Sequence, residues 1–311
     1  MPTLAVYFDQ PGEMDYPFTD PLYLQAHQRF ALEMAKDNVS VVVVRGEDSH
    51  LGGTTFSHYW KYTETGVQRF DETITADLIY NKCVVPIPDS FPEDKTFNYP
   101  ALDKICHDKM VTFELFGEFM PKSLHITREN WKEVISQLRT EMVTLKPLEG
   151  ESGYGIHFLK RNDFNGDSFD YSDGYLAQEF IDTSTGIPNI TPGRHDLRIL
   201  VFGGVPKLAV IRIPAPGKLL ANVAQGATTH CVDLNLVPKE VLEIVAKVDE
   251  KLKQFSPRIY SVDFLIAKEG PFIVELNSRP GFPHPDRQGE AYVKVFFDSH
   301  REIFKSFFAT K

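Results

Sequence analysis

Three oxygen-bearing side chains late in the sequence have the chemistry of a metal site. Asp263 lies in one apolar run, and Glu275 and Asn277 lie at the end of the next. A polar pair and a glycine at 268–270 separate the runs, which predicts an antiparallel hairpin with the three side chains at one end. Side chains alternate along a strand, so Glu275 and Asn277 share a face. Two carboxylates and an amide oxygen suit Mg²⁺, which completes its shell with phosphate and water.

A lysine followed by a glycine-rich segment forms a second group of candidates. Lys146 ends a short apolar run that opens onto Gly150, Ser152, Gly153 and Gly155. Glycines allow backbone N–H groups to approach phosphate oxygens closely, and a serine adds a hydroxyl donor. The segment lacks the Gly-Lys-Ser/Thr ending of a Walker loop. It therefore indicates either a different phosphate-binding loop or a plain hairpin turn.

A predicted hairpin with an arginine on each strand supplies further positive charge. Arg198 enters the first strand, a double glycine at 203–204 forms the turn, and Arg212 leaves the second strand. Either arginine alone could be a solvated surface residue. The long segment 213–229, rich in proline, glycine and small residues, follows directly, and long loops within compact domains are often functional lids.

The elements that must position these side chains begin as strand, helix, strand. Apolar runs at 4–8, 39–44 and 78–85 predict buried strands, and residues 22–36 carry a helical pattern. This order is typical of an open α/β sheet. A proline-rich segment at 86–100 predicts a domain boundary near residue 100.

Further helical patterns follow that boundary. We predict one helix or two over 101–120, with Asp108 and Lys109 inside, and helices over 131–139, 238–255 and 290–308.

Composition excludes several classes of function. The 311 residues carry a formal net charge of −10, whereas general nucleic-acid binders have a basic excess. Cys83, Cys106 and Cys231 fit neither a disulfide framework nor a zinc motif, so we expect buried thiols in a reducing compartment. No apolar stretch approaches the roughly 20 residues of a spanning helix, and the N-terminus does not have the pattern of a signal peptide. We therefore predict a cytoplasmic protein with no nucleic-acid or membrane partner.

The joint order of these motifs resembles the ATP-grasp superfamily, and most closely its glutathione synthetase and ribosomal-protein glutamate ligase branch. The resemblance covers about residues 98–281, and the N-terminal unit is similar to the domain that precedes the family's core. It implies an α/β (α+β ATP-grasp) fold with three parts. These are an N-terminal open α/β pre-ATP-grasp domain (1–100), a lid subdomain (101–181) and a C-terminal catalytic subdomain (182–311), the last two clasping ATP.

The resemblance also implies roles for individual residues. ATP contacts are expected from Lys109, Lys146, Glu149, Gly150, Ser152, Gly153, Gly155, Gln178, Glu179, Phe180, Ile181 and Asp182. In this set the lysines contact phosphates, the stretch 179–181 reads adenine, and Asp182 lies near the ribose. The expected catalytic residues are Arg198, Arg212 and the lid residue Asn222, and the metal ligands are Asp263, Glu275 and Asn277. The implied cofactors are ATP and two Mg²⁺ ions, for which Mn²⁺ can substitute.

The implied activity is an ATP- and Mg-dependent carboxylate–amine, or carboxylate–thiol, ligase that acts through an acyl phosphate and releases ADP and phosphate. Its partners are a small-molecule or peptide carboxylate and an amine acceptor, and the family favours a homo-oligomer. The ending Arg279-Pro280-Gly281 is also similar to that of inositol-phosphate kinases of the same superfamily, so a small-molecule kinase is the alternative. A catalytically silent nucleotide-binding protein is the third possible function. The sequence departs from the ligase branch at Gln225-Gly226, where a double glycine is usual.

Overall fold

A computed structural model describes residues 1–63, 66–83, 87–149, 153–222 and 226–309. Its strands are β1 (Thr3–Phe8), β2 (Ser40–Arg45), β3 (His50–Gly52), β4 (Thr55–Phe56), β5 (Tyr59–Thr63), β6 (Gly66–Phe70), β7 (Ile74–Thr75), β8 (Leu78–Asn81), β9 (Thr96–Phe97), β10 (Ser123–Ile126), β11 (Met142–Pro147), β12 (His157–Lys160), β13 (Tyr175–Glu179), β14 (Asp196–Phe202), β15 (Val205–Ile213), β16 (Thr228–Val232), β17 (Ile259–Ala267) and β18 (Gly270–Asn277). Its α-helices are α1 (Pro21–Ala35), α2 (Pro100–His107), α3 (Lys109–Phe116), α4 (Trp131–Gln137), α5 (Lys239–Leu252), α6 (Pro285–Gln288) and α7 (Glu290–Ala309).

The N-terminal strands form a six-stranded sheet in the order β6-β5-β2-β1-β8-β9. The four strands β2, β1, β8 and β9 run parallel, and β5 and β6 are antiparallel at one edge. Leu4 and Val6 of β1 pack into one core with α1 and α7, while Ala5 and Tyr7 pack into a second core on the other face. Burial on both faces explains the unbroken apolar run of β1. A small three-stranded sheet, β3-β4-β7, lies beside this region of the chain.

A capping residue divides the helix predicted over 101–120 into α2 and α3. The Asp108 carboxylate accepts hydrogen bonds from the backbone N–H groups of Met110 and Val111, at 2.8 and 3.2 Å. Aspartate is a favoured N-cap because its side chain satisfies such unpaired donors. The prediction that Asp108 and Lys109 lie inside a helix is therefore wrong for Asp108, and Lys109 starts α3.

The middle of the chain forms a four-stranded antiparallel sheet in the order β10-β13-β11-β12. Val134 and Ile135 of α4 pack against Val143 and Leu145 of β11 in a core of their own. β11 is one of the two inner strands of this sheet, and Lys146 is its second-last residue.

The C-terminal part forms a five-stranded antiparallel sheet in the order β16-β15-β14-β17-β18. Leu197, Ile199 and Val201 of β14 pack on one face with the buried side of α5. Leu200 and Phe202 face the other side and join the core that α7 shares with the N-terminal sheet. The division of the chain into three domains at residues 100 and 181 stays a prediction.

Three details differ from the sequence-based predictions. β17 begins at Ile259, so Asp263 lies in the middle of that strand rather than at its entry. Cys83 and Cys106 are buried thiols as expected, but Cys231 is exposed, because it lies on the edge strand β16. β16 itself was not predicted, since it begins inside the long loop expected over 213–229 and continues to Val232. Among the described residues, no helix combines the length and apolarity needed to cross a membrane.

Candidate functional site

Asp263 is the centre of an ion-pair network on the five-stranded sheet. Its carboxylate, 1% exposed, accepts hydrogen bonds from Nε and Nη2 of Arg198, both at 2.7 Å, and from Nη2 of Arg212 at 2.5 Å. Arg212 also donates to the Asp196 carboxylate at 3.2 and 2.6 Å. The sheet register places Arg198 opposite Asp263, and Arg212 opposite Asp196. Two arginines and two aspartates thus hold one another in fixed orientations.

Burial and ion pairing act in opposite directions on these groups. Burial by itself raises the pKa of Asp263, but Arg198 and Arg212 lower it to about 2. Burial raises the pKa of Asp196 to about 6, because the negative charge of Asp263 opposes the attraction of Arg212. Burial tends to lower the pKa of Arg212, and the two carboxylates raise it well above its ordinary value. Both aspartates are therefore ionised at neutral pH, and Arg212 is charged.

Two β-bulges bring the functional side chains onto one face of this sheet. Counted from the turn of β17 and β18, strict pairing would place Val274 opposite Asp263, but a register shift after Phe264 places Glu275 there. A similar shift between Leu200 and Val201 changes the pairing of β14 with β15 by one residue. A one-residue shift moves every later side chain to the other face. Without the shift between β17 and β18, Glu275 would face away from Asp263, and without the shift between β14 and β15, Arg212 would face away from Arg198.

The predicted metal ligands lie close together but differ in their access to solvent. Asn277 lies two residues beyond Glu275, and its Oδ1 accepts a hydrogen bond from the Arg279 N–H at 2.7 Å. Burial raises the pKa of Glu275, and the charge of Asp263 raises it further. Within the described ranges, no three His, Cys, Asp or Glu side chains cluster as a metal site. A cation here would therefore depend on the Glu275 carboxylate and the Asn277 amide, hard oxygen donors that suit Mg²⁺, because two arginines occupy the Asp263 carboxylate.

A narrow cavity of ≈ 120 Å³ separates the four-stranded sheet from the five-stranded sheet. Eight of the residues predicted to contact ATP line it: Lys109, Lys146, Glu149, Gly153, Gln178, Glu179, Phe180 and Ile181. Gly155 instead lines an adjoining depression with residues 217–220. Asp182 is bonded to Ser184 and Arg194, and does not line the cavity itself. Gly150 and Ser152 lie outside the described residues.

Lys146 is a partly buried lysine in the wall of this cavity. Its pKa is lowered to about 8, chiefly by burial and also by the charge of Lys109, while the charge of Glu275 opposes both effects. The backbone N–H of Lys109 donates to the carbonyl of Leu148 at 3.2 Å, which joins the start of α3 to the end of β11. The two lysines and Glu275 therefore belong to one electrostatic group.

Gly155 is required by the backbone path beside this cavity. Its φ is +72°, and a Cβ atom there would lie 2.7 Å from Cγ of Pro147. Side chains rarely adopt this conformation, and the contact would force the chain apart. The glycine therefore allows the segment to turn tightly against the end of β11.

A second cavity, of ≈ 360 Å³, lies against the same face of the five-stranded sheet. Arg198, Asn277 and Arg279 line it. Among the described residues, three side chains line both cavities: Arg212, Asn222 and Glu275. Asp263 lines neither cavity, because the two arginines enclose its carboxylate.

Sequence reasoning did not predict several lining residues. The narrow cavity also contains Thr144, Pro147, Tyr154, Ile156, Phe158, Thr183, Arg194, His195, Asp196, Leu219, Leu220, Ala221, Leu265 and Val274. The larger cavity also contains Cys106, His107, Leu200, Val210, Thr229, Leu276, Ser278, Pro280, Gly281, Phe282, Pro283, Gln288 and Tyr292. Strand alternation from the predicted site residues would have found Thr144, Asp196, Leu200, Val210 and Leu265. Most of the others depend on long-range packing that leaves no local pattern.

Comparisons with known proteins agree with this architecture. The family model for the ATP-grasp domain of prokaryotic glutathione synthetase matches residues 108–266. A glutathione synthetase from Agrobacterium fabrum is 29% identical over 197 residues, which are 60% of this chain and 55% of the relative. A probable alpha-L-glutamate ligase from Psychromonas ingrahamii is 28% identical over 182 residues, 56% of each chain. The matched region thus spans about half the length of these curated relatives.

The likeness in three dimensions extends over nearly the whole chain. The VanG D-Ala:D-Ser ligase from Enterococcus faecalis superposes with a TM-score of 0.65, covering 98% of this chain and 99% of that one. The two sequences are 14% identical, so this comparison concerns the fold. The expected α/β ATP-grasp fold is confirmed.

Proposed function

Since this chain belongs to the prokaryotic glutathione synthetase ATP-grasp family, we propose that it is an ATP-dependent ligase that joins a carboxylate to an amine or a thiol. The observation that carries this proposal is the junction of the two cavities at Arg212, Asn222 and Glu275. ATP occupies the narrow cavity and the acid occupies the larger one. The γ-phosphoryl group of ATP then lies where the two cavities meet, within reach of the acid.

The narrow cavity supplies contacts for each part of the nucleotide. Lys109 and Lys146 bind phosphate oxygens, and apolar side chains from both sheets enclose the base. The Glu179 carboxylate accepts a hydrogen bond from the Arg139 N–H at 2.8 Å, so the backbone groups of 179–181 rather than this carboxylate read the adenine. Asp182 contributes to the nucleotide site indirectly. Its carboxylate accepts a hydrogen bond at 3.1 Å from Arg194, which lines the cavity.

The metal ligands in this proposal are Glu275 and Asn277, with Asp263 behind them. Bound there, Mg²⁺ would neutralise negative charge on the transferring phosphoryl group. Asp263 has a second role in the absence of any ligand, because it fixes the guanidinium groups of Arg198 and Arg212. Two Mg²⁺ ions, substitution by Mn²⁺, a homo-oligomeric state and a cytoplasmic location stay predictions.

The proposed chemistry proceeds in two transfers. A carboxylate oxygen of the acid attacks the γ-phosphorus, the bond to ADP breaks, and an acyl phosphate forms. The amine or thiol then attacks the carbonyl carbon, loses a proton, and displaces phosphate. Arg212 and Arg198 stabilise the charge of the transferring group, and fixed positive groups of this kind contribute strongly to phosphoryl transfer. Acyl phosphates hydrolyse in water, so a cover of residues 219–222 and their neighbours would protect the intermediate.

Hydroxylamine distinguishes this ligase from the kinase alternative. The protein is incubated with Mg-ATP, candidate acids and hydroxylamine, and hydroxamate, ADP and free phosphate are measured. A ligase yields all three in equal amounts. A phosphorylated acceptor formed with ADP, without free phosphate, would instead assign the chain as a kinase.

A further inference from the structure

The larger cavity changes from charged to apolar along one strand. Arg198 and Leu200 lie two residues apart on β14 and therefore point to the same face, about 7 Å apart along the strand. Val210 of β15 lies directly opposite Arg198, and Leu208 lies opposite Leu200. The sheet register thus places an apolar surface immediately beside the arginine pair.

Two aromatic side chains complete the apolar end. Tyr292 from α7 and Phe282 both line the cavity together with Leu200 and Val210. Leu200, Val210 and Tyr292 are 3%, 7% and 9% exposed, and all three belong to the core that α7 shares with the N-terminal sheet. Because a packed core lies behind it, this wall has a fixed shape.

The opposite end of the cavity is suited to an anion. Arg198 and Arg212 each use Nε and Nη2 on Asp263 or Asp196, and no described residue accepts a hydrogen bond from the Nη1 group of either arginine. Glu275 is the single carboxylate among the described lining residues. A volume of ≈ 360 Å³ is near the low end for small-molecule sites.

We propose that the acid accepted by this protein is a small molecule with a compact apolar substituent, which lies against Leu200, Val210 and Tyr292 while its carboxylate lies beside Arg198 and Arg212. This inference rests on the proposed function and specifies its substrate class. A polar or charged substituent would lose its water against Leu200 and Val210, whose side chains offer no hydrogen-bond partner. An apolar substituent has no hydrogen bonds to water to lose, and it gains contact area with the wall.

Matched pairs of acids test the inference. The pairs are leucine with asparagine and methionine with glutamine, and glutamate is added as a charged member, each as the free amino acid and as its N-acetyl derivative. Binding is measured by calorimetry to the protein with Mg-ADP, and turnover by ADP release in the presence of ATP and hydroxylamine. We expect the apolar member of each pair to bind at least about tenfold more tightly, the scale on which an apolar pocket discriminates.

Two variants locate the preference. Val210→Thr keeps the shape of the wall and adds a hydroxyl, and Leu200→Asn makes a larger change at the next position. Each should reduce the preference for the apolar member about tenfold, with ATP affinity unchanged. Val205→Thr is the matched control, because Val205 lies in the same sheet, 51% exposed and away from both cavities. Melting temperatures are measured throughout, and Val210→Thr decides the matter if Leu200→Asn does not fold.

The outcomes separate this inference from the function on which it rests. Ligation with equal or stronger use of the polar members would overturn the substrate class and leave the ligase standing. An unchanged preference in folded Val210→Thr would also overturn it. No binding and no acid-dependent ADP release with any member would overturn both.

Discussion

Replacing Asp263 by asparagine should destabilise the protein by about 3 kcal/mol. The pKa of this carboxylate falls from 3.8 to about 2 in the folded protein. A depression of roughly two units corresponds to about 2–3 kcal/mol of stabilisation. Removing one partner of a buried ion pair costs about 3–5 kcal/mol, because the other charge stays buried. Asparagine keeps one acceptor oxygen and Arg212 keeps Asp196, so we expect the lower end of that range.

Urea unfolding at several pH values measures the effect and its sign. Asp263 has a lowered pKa in the folded state, so its contribution is complete above the unfolded value of 3.8 and is lost as the pH falls through about 2. The difference between parent and Asp263→Asn should therefore shrink below about pH 4. Between pH 7 and about pH 5 it should widen as the pH falls, because burial and the charge of Asp263 raise the pKa of Asp196 to about 6 and the variant lacks that charge. In thermal unfolding at pH 7 the melting temperature should fall by roughly 6–12 °C, at about 2–4 °C per kcal/mol.

Two comparisons separate the effect of the buried ion-pair network on stability from a general effect of removing a charge. In Arg198→Met with Asp263→Leu, both partners become apolar, and the double variant should be more stable than either single variant. Glu243→Gln removes a carboxylate from an exposed pair with Lys239, 3.2 Å apart, and should have little effect. If Asp263→Asn unfolded within about 0.5 kcal/mol of the parent at pH 7, the ion-pair reasoning would be refuted.

Three further predictions concern the nucleotide and metal sites. Glu275→Gln should reduce Mg²⁺-dependent ATP turnover by about 10²–10³-fold with folding intact, and parent-like turnover would place the metal elsewhere. ATP affinity should be constant below about pH 8 and fall up to about tenfold per pH unit above it, because burial lowers the pKa of Lys146 to about 8 and only the ammonium form binds phosphate well. Lys146→Met should weaken ATP binding and abolish that pH dependence, and a calorimetric titration in which the dependence persists would assign it to another group. Gly155→Ala should destabilise the protein by about 1–3 kcal/mol, whereas Gly193→Ala, with open space around its Cβ position, should be neutral in the same unfolding assay.

Local patterns predicted most elements of the fold. Alternation and turn residues identified the β17–β18 hairpin, and the run of apolar residues identified β1 as a buried strand. The same rules could not predict the capping role of Asp108, because the two hydrogen bonds of one side chain decide between a single helix and two. β16 was missed because its pattern is weak and its stability depends on pairing with β15.

The candidate site was only partly predictable, because β-bulges decide which side chains face it. The residues of the hairpins were identified, but both faces depend on bulges that no sequence rule located. Pairing counted from the turn would place Ala209 opposite Arg198, and Arg212 would then face away from it; the observed shift places Val210 there. The enclosure of Asp263 by arginines additionally requires β14 to lie beside β17, a contact between residues 65 positions apart. Local sequence does not encode such pairings.

The core around α7 connects two of the sheets, and this affects how the molecule opens. It joins Val6 of the N-terminal sheet with Phe202 and Leu208 of the five-stranded sheet, whereas the four-stranded sheet has its own small core. Segments that share a core exchange their amide hydrogens through a common, high-energy opening, and a separately packed segment can open at lower free energy. Deuterium uptake should therefore be slow and concerted in β1 and β14, and faster in β11 and β13. Since those two strands form one wall of the narrow cavity, a nucleotide bound there would slow exchange most in the segment that opens most readily on its own.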